Sequence, residues 1–210
     1  MGRSVRGALL ALVVSAAGCE RPDPAERPAE VASSEPAAGV AADPAMERTT
    51  ECVDRIEGYA VEYPATWHVN TGGILGPCSL FDPDPIEVPR DSEIPLEIAI
   101  TIDFEPVPFA TLTGEVLGRR DLSREQTTVD GREAVRIEGE TTGEGLHDPG
   151  IRSYQYFVDL GDTTMIATTY GAGTLPWERK RRILDAMMAT FDFRQPGRSE
   201  EADQDRRDPR

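Results

Sequence analysis

The sequence predicts an α+β domain, an antiparallel sheet covered by helices in an α/β/α sandwich, and three observations carry that reading. LEIAITIDF (96–104) alternates: Ile98, Ile100, Ile102 and Phe104 share one side, while Glu97, Thr101 and Asp103 share the other. A period of two is the signature of a half-buried strand. Asp130-Gly131 and Gly161-Asp162 each stand between strand-like runs and have the turn chemistry of tight hairpins. From about Pro176 to Phe191, the residues Trp177, Leu184, Met187, Met188 and Phe191 fall on one broad stripe, as in a helix with one buried side.

The elements follow in order. Tyr59, Val61 and Tyr63 alternate with Ala60 and Glu62, and Pro64 ends that strand because proline lacks the N–H that a ladder needs. Residues 67–70 continue beyond the turn, and the 96–104 strand comes next. PFATLTGEVL (108–117) is predicted as a short helix. QTTV (126–129) pairs with EAVRIEGE (133–140), and SYQYFVDL (153–160) with TTMIATTY (163–170). In the closing helix Pro176 suits the first turn. Arg179, Lys180, Arg181 and Arg182 read as its solvated side, pairing with nearby carboxylates. Strands, short helix, two hairpins and a terminal helix make one sheet with helices packed over it. Residues 51–195 are the right length for one such core.

The flanks are of another kind. Residues 1–18 read as an export signal, with Arg3 and Arg6 ahead of an apolar run over 8–17. That run is too short for a bilayer, which takes about 20 residues. It ends in Ala16-Ala17-Gly18-Cys19, which resembles the lipobox of bacterial lipoproteins, with Ala16 in place of the usual Leu. Cys19 is therefore expected to begin the mature chain and to carry acyl chains, palmitate among them. Two or more chains hold a protein firmly, whereas one gives marginal binding. Residues 19–50 read as a disordered tether: positions 20–50 hold five Pro, eight Ala and seven acidic residues, too little apolar surface to offset ordering. Residues 196–210 read as a charged, disordered tail. The expected location is the cell membrane, lipid-anchored, on the extracytoplasmic side.

Cysteine usage agrees with export. With Cys19 lipidated, Cys52 and Cys78 remain from three cysteines, an even pair in an oxidising compartment, and a disulfide is expected between them. The chain carries 22 Lys plus Arg against 38 Asp plus Glu, a net charge of −16. This balance excludes nucleic acid as a partner, since phosphate contacts need a basic patch. It equally excludes broad attraction to anionic headgroups, so the lipid at Cys19 must make the membrane contact.

No catalytic, metal or cofactor constellation stands out, and an enzyme is not expected. Nucleophilic catalysis needs a base beside Ser or Cys, and the two histidines, His68 and His147, lie far apart in sequence. Asp82, Asp84, Glu87, Asp91 and Glu93 make an acidic run without the glycine and ligand spacing of a calcium loop. A hydrolase would need a pair such as Asp82 and Glu87 acting together. Segment 71–95 holds five Pro and little regular pattern, and long loops of that kind are often functional. With the glycine-rich 139–151 segment it is expected to border one binding groove.

Gly58-Tyr-Ala-Val-Glu-Tyr63-Pro64-Ala-Thr-Trp67 resembles the opening hairpin of PsbP-like domains, in which the proline turns the chain and the tryptophan packs into the core. The order that follows is also similar, down to the closing Phe191. Exported actinobacterial lipoproteins of the LpqN type are similar in plan. The resemblance spans roughly residues 51–193 and implies a PsbP-like sandwich serving as an accessory or binding module. It assigns Tyr63, Pro64 and Trp67 structural roles only. The expectation is a cell-envelope binding protein of unidentified ligand, with an envelope protein as its partner. The alternatives are a small-molecule or lipid carrier and the paired-carboxylate hydrolase.

Overall fold

In a computed structural model of the protein, the residues described are 43–73, 75–88, 93–114, 117–145 and 147–194. The signal at 1–18, Cys19, the tether as far as residue 42, Asp91 and the tail at 196–210 lie outside them. The strands are β1 (Thr49–Asp54), β2 (Tyr59–Pro64), β3 (His68–Val69), β4 (Leu80–Asp82), β5 (Ile100–Glu105), β6 (Arg119–Val129), β7 (Arg132–Thr141), β8 (Arg152–Asp159), β9 (Thr164–Tyr170) and β10 (Asp192–Phe193). Two helices join them, α1 (Phe109–Leu112) and α2 (Trp177–Ala189). One sheet has the order β1-β2-β10 and the other β3-β4-β5-β9-β8-β7-β6. Each pairing between strands is antiparallel. The α+β class is as predicted, with helices on both sides of the large sheet.

The alternation written in the strands decides what each helix covers. Ile183, Leu184 and Met187 of α2 pack against Ile100, Ile102, Met165 and Ala167 in one continuous core. On the reverse side Phe109 and Leu112 of α1 cover Val135, Ile137, Phe157 and Ile166. Each large aliphatic or aromatic side chain so buried contributes about 1.5–3 kcal/mol. Tyr59, wholly buried, stacks on Phe191 with centroids 4.9 Å apart and leans on Phe104 at 5.3 Å. That stack joins the small sheet to the large one. Tyr63 and Trp67 are buried in the same core, the role the family resemblance implies. Asp185 of α2 accepts hydrogen bonds from the hydroxyls of Tyr154 and Tyr156, both at 2.7 Å, so the helix is also held by polar contacts.

Several elements differ from expectation. The predicted helix over 108–117 is a single turn. The Thr113 hydroxyl and N–H both donate to the Phe109 carbonyl, and Gly114 follows; a hydroxyl competing for the backbone in this way ends helices. The predicted strand over 96–104 starts only at Ile100, because the Ile98 N–H closes a turn onto the Pro95 carbonyl. The first hairpin is longer than predicted, since β6 begins at Arg119.

The tether boundary also moves. Residues 43–50, assigned by composition to the tether, fold as a 3-10 turn, Pro44–Glu47, and the start of β1. Asp43 is the reason. Its carboxylate caps that turn by accepting the Ala45 N–H, and it accepts Arg179 and Arg182 of α2 at 3.3 and 3.2 Å. The basic run on α2 is thus engaged throughout. Arg181 reaches Glu138 at 3.4 Å and Glu178 at 3.3 Å. Lys180 is buried rather than solvated, and its ammonium donates to the carbonyls of Tyr170 and Ala172.

Burial by itself would raise the Asp43 pKa. The Ala45 amide and the two guanidinium groups outweigh it and hold the carboxyl below its ordinary value. Its contribution to stability is therefore present above about pH 4, the unfolded value, and is lost as pH falls through the lower folded value. Asp43→Asn is expected to cost about 1–2 kcal/mol at neutral pH, and to flatten the acid limb of a pH series of urea midpoints. Unchanged midpoints would mean the clamp carries no stability.

Candidate functional site

The short strands β3 and β4 carry the one segment whose construction exceeds what a connector needs. Asn70 follows β3 and organises the whole 70–80 loop. Its side-chain oxygen accepts the N–H groups of Ser79 at 2.9 Å and Leu80 at 2.8 Å, and its amide donates to the Gly76 carbonyl at 2.8 Å. Its backbone carbonyl accepts the Cys78 N–H at 3.0 Å. The neck of the loop is closed on itself by one residue.

The neck is also pinned to the small sheet. Cys52 of β1 and Cys78 form the expected disulfide, with Cα atoms 5.8 Å apart. The Tyr59 hydroxyl donates to the Cys78 carbonyl at 2.8 Å. Burial pushes the Tyr59 phenol well above its usual range, and the charges of Asp54, Glu57 and Asp103 add to that, so it remains a donor. Asp54, also buried, closes the β1–β2 turn by accepting the Ile56 and Glu57 N–H groups through Oδ1. Its Oδ2 has no hydrogen-bond partner, and a Cβ on Gly76 would lie 3.1 Å from it. Glycine is what lets the loop approach that closely. Gly72 and Gly73 at the tip have φ of 136° and 126°, values that side chains rarely tolerate.

The segment after β4 returns beside this loop. Asp82 steers it: one carboxylate oxygen accepts the Asp84 N–H at 2.9 Å and the other the Ala99 N–H at 2.8 Å. Residues 86–88 then run beside 70–73 and Leu75 and leave a groove of about 550 Å³ lined by Asn70, Gly72, Gly73, Leu75, Leu80, Ile86 and Val88. Leu80 is buried, and Leu75, Ile86 and Val88 are half-buried. The one polar side chain among its described lining residues, Asn70, has its amide committed to the loop. The groove can hold an apolar group, and among its described lining residues there is no nucleophile, acid or base.

The described residues of the 139–151 segment do not line this groove. They flank a second concavity of about 840 Å³, with Arg119, Asp121, Arg124, Thr142 and Glu144 among its lining. The strand order explains the separation: β4 and β7 stand four positions apart in the sheet, roughly 19 Å at the usual strand spacing. His68 lies exposed on β3 opposite Asp82 in the pairing register. His147 rests edge-on against Tyr170, at the end of β9, at 5.8 Å. Asp82 gives both oxygens to backbone amides. Among the described residues no group of three or more His, Cys, Asp and Glu side chains is placed to hold a metal ion. No helix among them is long and apolar enough to cross a membrane.

Loop length marks this segment in the sequence, but not which of its residues line the groove. Their signal was Ile86 and Val88, two branched aliphatic residues in an otherwise proline-rich and acidic run.

Fold and site together define a small α+β domain with a disulfide-pinned apolar groove at one edge of its sheet. No protein-family model matches the chain, and no curated protein matches it. Among solved structures it is similar to the solution structure of the cyanobacterial PsbP protein CyanoP from Synechocystis sp. PCC 6803, at 14% identity and a TM-score of 0.43, over 76% of this chain and 97% of that one. It is also similar to the Saccharomyces cerevisiae Ran-binding protein Mog1p, at 12% identity and a TM-score of 0.44, over 70% of this chain and 95% of that one.

Proposed function

We propose that the chain is an extracytoplasmic lipoprotein, anchored through acyl chains on Cys19, whose domain is a non-catalytic binding module that takes an apolar small molecule or acyl chain in the β3–β4 groove. The observation that carries the binding role is the groove itself: four aliphatic side chains face one concavity that Asn70, the disulfide and Asp82 hold open. Its volume of about 550 Å³ falls in the usual range for small-molecule sites, about 300–1,000 Å³. The Cys52–Cys78 bridge fits an oxidising compartment, which agrees with the export signal. A folded envelope protein would call for a flat apolar patch. The exposed large apolar side chains among the described residues, Val53, Ile56, Leu117 and Leu122, all lie off the groove.

A neutral apolar fluorophore such as N-phenylnaphthylamine tests this on the full chain carrying Cys19→Ala. Saturable binding is expected, and Leu75→Asp and Ile86→Asp should each weaken it by about tenfold or more, the equivalent of 1.4 kcal/mol, without lowering the melting temperature. Affinity unchanged in both variants would contradict the assignment. The anchor is tested separately: Cys19→Ala should move the protein from the membrane to the soluble fraction and abolish incorporation of labelled palmitate. Retention in the membrane would count against it.

A further inference from the structure

Strand β6 is the longest in the protein, eleven residues, and forms the outer edge of the seven-stranded sheet with seven consecutive exposed positions. Among the described residues none pairs with its outer side. Such an edge presents a row of free N–H and C=O groups, and proteins ordinarily guard it with charge. Here the charges are arranged in a way that does not repel a second copy.

The geometry points to a two-fold dimer formed by antiparallel pairing of β6 with β6 of another copy of this chain. The pattern Arg120-Asp121-Leu122-Ser123-Arg124-Glu125 is self-complementary when reversed. An axis between Leu122 and Ser123 sets Arg120 opposite Glu125 and Asp121 opposite Arg124, twice over. In a regular strand this register fails, because residues five apart point to opposite sides of the sheet. The register shift between Asp121 and Ser123 corrects it by inserting one extra residue at the axis. Arg120 and Glu125 consequently share the α2 side, opposite Glu140 and Arg136 of β7. Asp121 and Arg124 share the α1 side, opposite Gly139 and Ile137. Charges that face each other across the axis thus lie on matching sides.

A second observation is independent of charge. Of the four exposed large apolar side chains among the described residues, Leu117 at 78% and Leu122 at 46% belong to this edge. Leu122 sits at the axis, and Leu117 lies in the turn that leads into β6. β6 carries three arginines against two carboxylates, so the strand is near neutral in a chain of net charge −16. Within one chain Asp121 pairs with Arg119 at 2.8 Å and with Arg124 at 2.6 Å, Arg120 with Glu140 at 3.3 Å, and Glu125 with Arg136. Arg120, Arg124 and Glu125 are exposed, and exposed pairs contribute little, so these three can change partner at small cost while Asp121 keeps Arg119. The apolar groove lies beside β3 and β4 at the other edge of the sheet and stays open in the dimer.

Sedimentation equilibrium on the full chain carrying Cys19→Ala tests this. A dimer is expected, with Arg124→Glu alone and Asp121→Arg alone each weakening it by at least tenfold. An equimolar mixture of those two variants should dimerise like the parent, because each then faces its opposite charge across the axis while its own internal pair remains broken. A parent chain that stays monomeric up to about 1 mM, single variants that dimerise as well as the parent, or a folded mixture that does not recover would each overturn the proposal.

Discussion

Replacing Cys52 and Cys78 together by alanine is expected to cost about 3–4 kcal/mol, the loop-closure entropy for cysteines 26 residues apart. Urea unfolding of the oxidised parent and the variant measures it. The loss should reach the groove, because Cys78 ends the loop that carries Leu75. Cys78 also sits at a φ of 62°, a left-handed conformation that costs a side-chain-bearing residue about 1–2 kcal/mol. Cys52→Ala with Cys78→Gly should therefore be less damaged than the double alanine variant. A loss below about 1 kcal/mol for the double alanine variant would mean that Asn70 and Tyr59 hold the neck without the bridge.

Alkaline unfolding is the second large effect. The chain has five tyrosines, and burial raises the pKa of each. For Tyr154 and Tyr156 the Asp185 carboxylate, which accepts both hydroxyls, adds to the burial effect. A phenol whose folded pKa exceeds the unfolded value of about 10 contributes stability that is whole below pH 10 and lost as pH rises through the folded value. Lys180 acts in the opposite sense, since burial lowers its pKa despite Asp82 and Glu97 nearby. It is one group against five. Stability should fall steeply above about pH 10, with the phenolate absorbance appearing together with the loss of circular dichroism. Tyrosines that ionise one by one near pH 10 in an intact fold would contradict the burial described.

The parts of the fold legible in the sequence are those where local pattern and tertiary environment agree. Ile100 and Ile102 alternate because one side of β5 faces α2, and Asp130-Gly131 and Gly161-Asp162 turn because their backbones need glycine. β6 was legible only at its end. Its exposed residues have no apolar partner to impose a period of two, so nothing in RRDLSRE marks a strand. Lys180 reads as a surface cation and is buried because two carbonyls at and just beyond the end of β9 receive it, a contact ten and eight residues away in sequence. Asp43 lies in a proline-alanine run and becomes structural through arginines more than 130 residues away.

The site divides in the same way. The disulfide follows from counting cysteines. The groove does not follow from either loop separately, since it needs residues 70–73 and Leu75 beside residues 86–88. The expectation that 71–95 and 139–151 share one groove failed because the order of strands in the sheet keeps them apart.

The most direct test of a binding module with its site at β3–β4 is a nuclear magnetic resonance titration of the isotope-labelled full chain carrying Cys19→Ala with the neutral fluorophore. The account predicts chemical-shift changes that saturate and centre on Asn70, Gly72, Gly73, Leu75, Ile86 and Val88, with the signals of α2 unmoved. Changes centred elsewhere in the chain, or none as the probe approaches its solubility limit, would contradict it.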